Sequence, residues 1–254
     1  LQATDLETHI INILKNFGDV IYGFAYVGDI APNKIRHLPY AITIGLPLSP
    51  PIVNNIVDGP NQAYYDEYLS LNDRLDLITE QLKIEIEESG YQAYAIPSSK
   101  RTDFVNISGE FPHKAAAVRG GLGWIGKSSL LITRKYGPRV RLSTLFTDTP
   151  LQTNDILEKN HCGKCKKCVD ACPASAIVGN LWSDGVPRKS LIDVQRCDIW
   201  KINKYPQFHG HVCGICVAIC PHGSKLTRAK STINSGSHST AGRCTGENYH
   251  CRDR

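Results

Sequence analysis

Cys162-Gly163-Lys164-Cys165-Lys166-Lys167-Cys168-Val169-Asp170-Ala171-Cys172-Pro173 sets four cysteines at x2, x2 and x3 and closes on proline. Thiolates at this spacing hold a cubane iron–sulfur cluster. The first three wrap one face of the cluster, and the fourth points away, toward a second cluster. The proline helps end the loop, because its ring fixes φ and removes an N–H. Cys213-x2-Cys216-x3-Cys220-Pro221 repeats the pattern one cysteine short, and Cys197 lies between the two runs. The crossover then assigns Cys162, Cys165, Cys168 and Cys220 to one cluster. Cys172, Cys197, Cys213 and Cys216 go to the other. Eight thiolates for two [4Fe–4S] clusters leave no ligand missing, so the chain is expected to handle electrons.

Zinc is the plainer alternative, since Cys-x2-Cys pairs also build tetrahedral sites. Zinc does not call for a third cysteine at x2, a fourth at x3 and a proline, twice over. A disulfide framework is excluded more firmly, because such closely spaced triplets cannot all pair without strain. Cluster thiolates need a reducing compartment, which places the protein in the cytoplasm. No stretch approaches a membrane span, and no signal peptide opens the chain.

The 254 residues suffice for one large or two modest domains with proper cores. The net charge of +5 is unevenly spread. Residues 1–160 carry 15 Lys/Arg against 18 Asp/Glu, and residues 161–254 carry 14 against 6. Part of the basic excess offsets anionic iron–sulfur–thiolate assemblies. Clustered Lys/Arg is also the electrostatic footprint of a nucleic-acid surface.

Three zones follow from the pattern: a helix–strand domain over 1–150, a cluster domain over 151–228 and a flexible Ser/Thr/Gly-rich tail over 229–254. Thr4 or Asp5 is the expected cap of a first helix. Residues 20–27 and 40–46 read as strands. Leu71, Leu75, Ile78, Leu82 and Ile86 recur on one helical face, with Gly90 at the C′ position. Residues 91–96 read as a strand and 113–119 as an Ala-rich helix. Residues 130–133 and 140–146 read as strands joined by a turn at Tyr136-Gly137-Pro138. That is an α/β pattern ahead of the cluster module.

Gly121-Leu122-Gly123-Trp124-Ile125-Gly126-Lys127-Ser128 satisfies the phosphate-loop expression G-x4-G-K-[ST]. The context does not, because such a loop follows a strand and opens a helix. Here a helix precedes and β-type sequence follows. The segment is either a tight packing turn with Trp124 in the core, or a place where backbone approaches a flat cofactor. In the second case Gly121, Gly123, Trp124 and Gly126 line the cofactor and Lys127 meets an anionic group.

Residues 115–127, the strands after them and the eight cysteines resemble epoxyqueuosine reductases and the iron–sulfur portion of reductive dehalogenases. The similarity runs from about residue 100 to 225. It implies a nitroreductase-like, corrinoid-binding α/β domain followed by a ferredoxin-like domain with two [4Fe–4S] clusters. It also implies cobalamin at the interface, reduced by the clusters. An electron donor such as a ferredoxin or flavodoxin is implied too. The chain departs from the family at Asn106-Ile107-Ser108-Gly109. Ile107 stands where the family carries an aspartate inferred to donate a proton. Asp103, Glu110 and His113 are the candidate substitutes, each needing hydrogen-bond reach of the substrate. The helical-repeat extension that helps many relatives hold tRNA does not follow Pro221.

The leading reading is a corrinoid-dependent reductase with its cofactor between the two domains. One alternative is an electron-transfer protein that reduces a partner's corrinoid. The other is an epoxyqueuosine reductase acting on tRNA. His161 is a candidate for tuning a cluster, while His209, His211 and His222 read as surface or supporting groups. Cys244 and Cys251, with His250, read as free tail residues.

Overall fold

The computed structural model describes residues 2–153 and 159–223. Cys244, His250, Cys251 and the tail reading lie outside them. Helix α1 (Ala3–Asn16) opens the fold, followed by strands β1 (Ile21–Tyr26) and β2 (Tyr40–Pro47). Helices α2 (Pro50–Asn54) and α3 (Gln62–Glu88) lead to strand β3 (Ala93–Ile96) and helix α4 (His113–Arg119). Strands β4 (Trp124–Ile125), β5 (Leu131–Ile132) and β6 (Val140–Thr147) complete the helix–strand part. The cluster segment adds helices α5 (Lys167–Asp170), α6 (Val194–Lys204) and α7 (Ile215–Ala218).

The main sheet runs β1-β2-β6-β3, antiparallel at each pairing. Its central strands are buried on both faces, which requires a layer on each side. One layer is α1 with α3. Leu6, Ile10 and Leu14 of α1 and Leu75, Ile78, Leu82 and Ile86 of α3 are fully buried against Ile42, Ile44 and Leu145. The periodic face read from the sequence is therefore the core face of α3. Asn61 caps that helix, its side chain accepting from Tyr64 N–H at 2.9 Å. At the other end Gly90, at φ 88°, donates to the Glu87 carbonyl, and Tyr91 donates to the Ile86 carbonyl. These two bonds make a Schellman stop.

The opposite layer is α4, whose Ala116 packs with Ala25, Ala41 and Phe146. Its end sits directly on β1, and two glycines permit the approach. A Cβ on Gly23 would lie 2.2 Å from the Gly120 carbonyl oxygen.

Two local expectations are corrected. The first helix already begins at Ala3, with Gln2 as cap and no side-chain cap bond, so Thr4 and Asp5 lie inside its first turn. The turn at 133–137 forms, but it does not join β5 to β6 as a hairpin. β5 pairs with β4, and β6 crosses to the middle of the main sheet. The reason lies at Gly123, whose φ of 148° brings its backbone against Ile132. The glycine-rich segment thus supplies a strand rather than only a turn. Among the described residues no helix is long and apolar enough to cross a membrane.

Replacing Gly23 by Ala must push α4 off β1. The expected loss is about 1–3 kcal/mol of stability, the usual range for overpacking a close contact. Chemical unfolding of the variant against the wild-type chain measures it, and an unchanged midpoint would contradict the packing.

Candidate redox centre and cavity

The cluster segment is short of regular structure, so side chains from the helix–strand part hold it. Lys127, at the end of the glycine-rich segment, is buried. Its Nζ donates to the Gly163 carbonyl at 2.8 Å and the Cys165 carbonyl at 3.0 Å. Asn160 links the same loop to β4, donating to the Ile125 carbonyl and accepting from Cys162 N–H. Arg139 performs the same service for the second run. Its guanidinium donates to the carbonyls of His222, Ala218 and Cys220 at 2.7, 3.1 and 3.2 Å. The two Cys runs are therefore fixed to the β4–β5–β6 region by two buried cations.

The thiols fall into two electrostatic groups. Burial raises Cys168, and the neighbouring Cys162 and Cys165 add to the rise. Cys220 is pushed up to about 11 by burial, with Cys162 and Cys168 reinforcing it. Burial also raises Cys197, Cys213 and Cys216; Cys172 is a contributing neighbour in all three cases. Cys213 and Cys216 both feel Cys197 as well. Cys220 thus keeps company with the first run and Cys172 with the second. Cys216 feels Cys168 too, so the groups adjoin. Among the described residues, no three metal-binding side chains converge as a single metal ion requires. A cubane instead presents a separate iron to each thiolate. Free thiols in two groups of four, held on carbonyl-anchored loops, fit a pair of such clusters.

The expected cofactor wall is reassigned by this geometry. Gly126 backs the first Cys loop, where an added Cβ would lie 3.3 Å from Cys162 Sγ. Trp124 is buried between the rings of His161 and His222, at 4.9 and 5.0 Å. Gly123 packs on Ile132. Gly121 takes a φ of 75° just past the end of α4. Lys127 meets the carbonyls of Gly163 and Cys165. Of residues 121–127, only Ile125 reaches the large cavity described next.

That cavity, of about 700 Å³, lies between α4, the β4–β6 region and residues 182–191 of the cluster segment. Apolar side chains such as Phe111, Leu131, Leu142 and Trp182 line it, together with the cations Lys114, Arg141 and Arg188. It adjoins the second thiol group. Lys114 feels the charge of Cys216, and Arg188 that of Cys197.

Ile107, at φ 52°, also lines the cavity. A β-branched side chain in that backbone region is strained. Arg188 holds it there by donating to the Asn106 and Ile107 carbonyls. The three proposed acids separate. Asp103 turns into its own loop, accepting from Val105 and Asn106. These bonds, those of Asn106 first, hold its carboxyl below the usual range. Glu110 accepts from Tyr94 and pairs with Lys34. Only His113 reaches the cavity. Burial pushes it down to about 4, so it is neutral at pH 7. Both its ring nitrogens are engaged, by Thr144 Oγ1 at 2.9 Å and the Pro97 carbonyl at 3.3 Å.

Lys114 is the residue that sequence reading missed. It sits one place beyond His113, and its Nζ donates to the Ser129 carbonyl and approaches Ser129 Oγ. Burial pushes it down to about 8, and the nearby Arg188 cation acts in the same direction. The Ala-rich helix around it gave no chemical signal.

Comparison with known proteins bears on the cluster segment and on the fold. Residues 161–223 match the 4Fe-4S double cluster binding domain, which supports two [4Fe–4S] clusters in this segment. The epoxyqueuosine reductase of Pseudomonas aeruginosa is 31% identical over 171 residues, 64% of this chain and 44% of that protein. An epoxyqueuosine reductase solved with a tRNA-Tyr epoxyqueuosine-modified stem loop is similar at TM-score 0.57 and 19% identity. That match covers 88% of this chain and 66% of the other. A reductive dehalogenase whose structure suggests a mechanism for B12-dependent dehalogenation is similar at TM-score 0.67 and 19% identity. It covers 89% and 33% of the two chains. The chain spans about half the length of the curated relatives it matches. It is similar to epoxyqueuosine reductases in sequence, and it shares the fold of these proteins and of reductive dehalogenases.

Replacing Lys127 by Met leaves two loop carbonyls without their charged donor. An unmet buried group costs about 1–3 kcal/mol. The variant should lose iron to a chelator faster than the wild-type protein. Equal rates of loss would show that the clamp does not support the cluster.

Proposed function

We propose that the chain is an iron–sulfur reductase that takes a corrinoid into the cavity beside its second thiol group. The observation that carries this reading is the cavity itself. It is large, mostly apolar, and walled jointly by the helix–strand part and the cluster segment. Cofactor sites commonly occupy such interfaces. Similarity to epoxyqueuosine reductases and the fold shared with a B12-dependent dehalogenase support it. In our ligand assignment Cys162, Cys165, Cys168 and Cys220 hold an outer cluster. Cys172, Cys197, Cys213 and Cys216 hold the cluster next to the cavity.

The donor set fits a corrinoid. Phe111, Leu131, Leu142 and Trp182 offer apolar walls to the macrocycle. Lys114, Arg141 and Arg188 offer donors to its polar edge. His113 has no ring nitrogen to spare for a metal. When bound, a corrinoid would supply reductive chemistry to this cavity. The remaining chemistry belongs to the chain. A substrate that expels oxygen needs a proton. Ile107 cannot supply one, Asp103 and Glu110 face elsewhere, and His113 is neutral with its nitrogens occupied. Arginines do not release protons near neutrality. Two titratable side chains of the lining remain, Asp184, which accepts from Arg119 at 3.5 Å, and Lys114; we assign delivery of the proton to Lys114 Nζ.

The relatives' substrate, epoxyqueuosine in tRNA, is a second reading supported by sequence similarity. We favour a different substrate, because Ile107 stands where those enzymes are inferred to keep their acid. Supplying reduced protein with cobalamin and epoxyqueuosine-containing tRNA tests this; turnover to queuosine at an enzymatic rate would refute it.

Anaerobic protein titrated with hydroxocobalamin should shift the corrinoid spectrum and saturate near one per chain. An unchanged spectrum would leave an electron-transfer protein as the better account. Lys114→Met should lower turnover of an epoxide probe by about 10²–10⁴-fold, the usual contribution of a positioned acid. Iron content and cobalamin binding should stay near wild type. A donor must carry its proton, so wild-type turnover should fall as pH rises through about 8. Lys114→Arg should keep the charge and lose that step. A Lys114→Met variant with unaltered turnover would remove the lysine from the chemistry.

A further inference from the structure

The two thiol groups differ in what covers them. All eight thiols are half-buried, but two of the inner group lie against packed side chains. Cys213 and Cys216 pack against an apolar cluster that includes Tyr64, Tyr205 and Phe208, and a Cβ on Gly214 would strike Ile56 and Tyr64. The outer group has a surface loop across it. In that loop Gly163, Lys164, Lys166 and Lys167 are exposed between half-buried Cys162, Cys165 and Cys168. Lys159 precedes them, also exposed, and Asp170 is the one carboxylate in residues 159–173. None of the four lysines has an ion-pair partner among the described residues. Their charges therefore project into solvent over a redox centre that no mechanism inside the cavity uses directly.

We propose that this lysine-ringed loop is the docking surface for an acidic one-electron carrier protein, and that electrons enter the chain there. The inference rests on the cluster assignment of Cys162, Cys165, Cys168 and Cys220 and is independent of any corrinoid. In the step itself the carrier loses one electron and the outer cluster gains it. No bond is made or broken and no proton moves. The electron then passes to the inner cluster, whose Cys216 feels Cys168 of the outer group. Placing like charges around the entry point draws in a partner of opposite charge and orients it over the cluster. An RNA partner would suit the charge but not the composition. Residues 162–173 contain no aromatic side chain on which a base could stack.

The test uses the anaerobic two-cluster holoprotein with no corrinoid added. Bleaching of the cluster absorbance is followed in stopped flow. The reductants are a reduced acidic flavodoxin and, as a cationic control, the methyl viologen radical. The wild-type rate with flavodoxin should fall steeply with ionic strength, since salt screens surface charges. Lys164→Glu, Lys166→Glu and Lys167→Glu together should slow it by about 10- to 1,000-fold at low salt, the range of electrostatic steering. The viologen rate should hold or rise. Should the triple Glu variant lose iron, the triple Gln variant replaces it, with a smaller fall expected. The triple Arg variant should keep the wild-type rate. A salt-independent wild-type rate, or equal flavodoxin rates in all variants with full iron content, would overturn the proposal. So would loss of tRNA affinity in the Glu variant with flavodoxin reduction intact, which would assign the loop to RNA. Failure of cobalamin to bind would leave this result untouched, so the two readings fail separately.

Discussion

Two buried cations carry the architecture: Lys127 on the carbonyls of the first cysteine loop, and Arg139 on those of the second. A cluster-binding segment has little regular structure, so its backbone groups must find partners elsewhere. Here the helix–strand part provides them, with charged donors that bind about twice as strongly as neutral ones. The same charges compensate anionic clusters. Their position is set by the β4–β5 hairpin and by β6, and Gly126 lets the hairpin lie close to the first Cys loop. Remove either cation and a loop that must present thiolates at fixed spacing loses its anchor.

The cavity is a consequence of that docking. Once the Cys runs are pinned to one side of the sheet, residues 182–191 close over α4 and leave a space between. Arg188 ties this cover to the Ile107 loop, and Arg101 makes a two-pronged pair with buried Asp198 of α6. The inner thiol group then borders the space, and exposed lysines flank the first Cys run of the outer group. On the proposed reading, electron entry, electron relay and substrate chemistry would lie in one direction through the chain.

The two-cluster segment was legible because its information is local: x2 and x3 spacings define a loop whatever surrounds it. The α3 face and the α4 helix were legible for the same reason, through periodicity and helix propensity. The role of residues 121–127 was not. Nothing in Gly126 or Lys127 announces that their partners are Cys162 and the carbonyls of Gly163 and Cys165, which come dozens of residues later. The sequence left a packing turn and a cofactor wall as alternatives; the fold sets Gly126 and Lys127 against the first Cys loop. Asp103 and Glu110 looked like acids because they are carboxylates near the right place. Local hydrogen bonds and Lys34 turn them away. Lys114 looked like part of an ordinary helix. Only burial in three dimensions makes its amine a candidate acid.

The crossed ligation of the two thiol groups is the claim on which the electron path depends, and iron analysis of two double variants tests it. Cys165→Ala with Cys220→Ala strikes one cluster twice if the runs cross. That protein should retain about four irons per chain, against about eight in the wild type. Cys165→Ala with Cys172→Ala strikes both clusters and should retain few or none. The reverse result, with the second pair keeping a full cluster and the first losing both, would mean that each run binds its own cluster and would contradict the account.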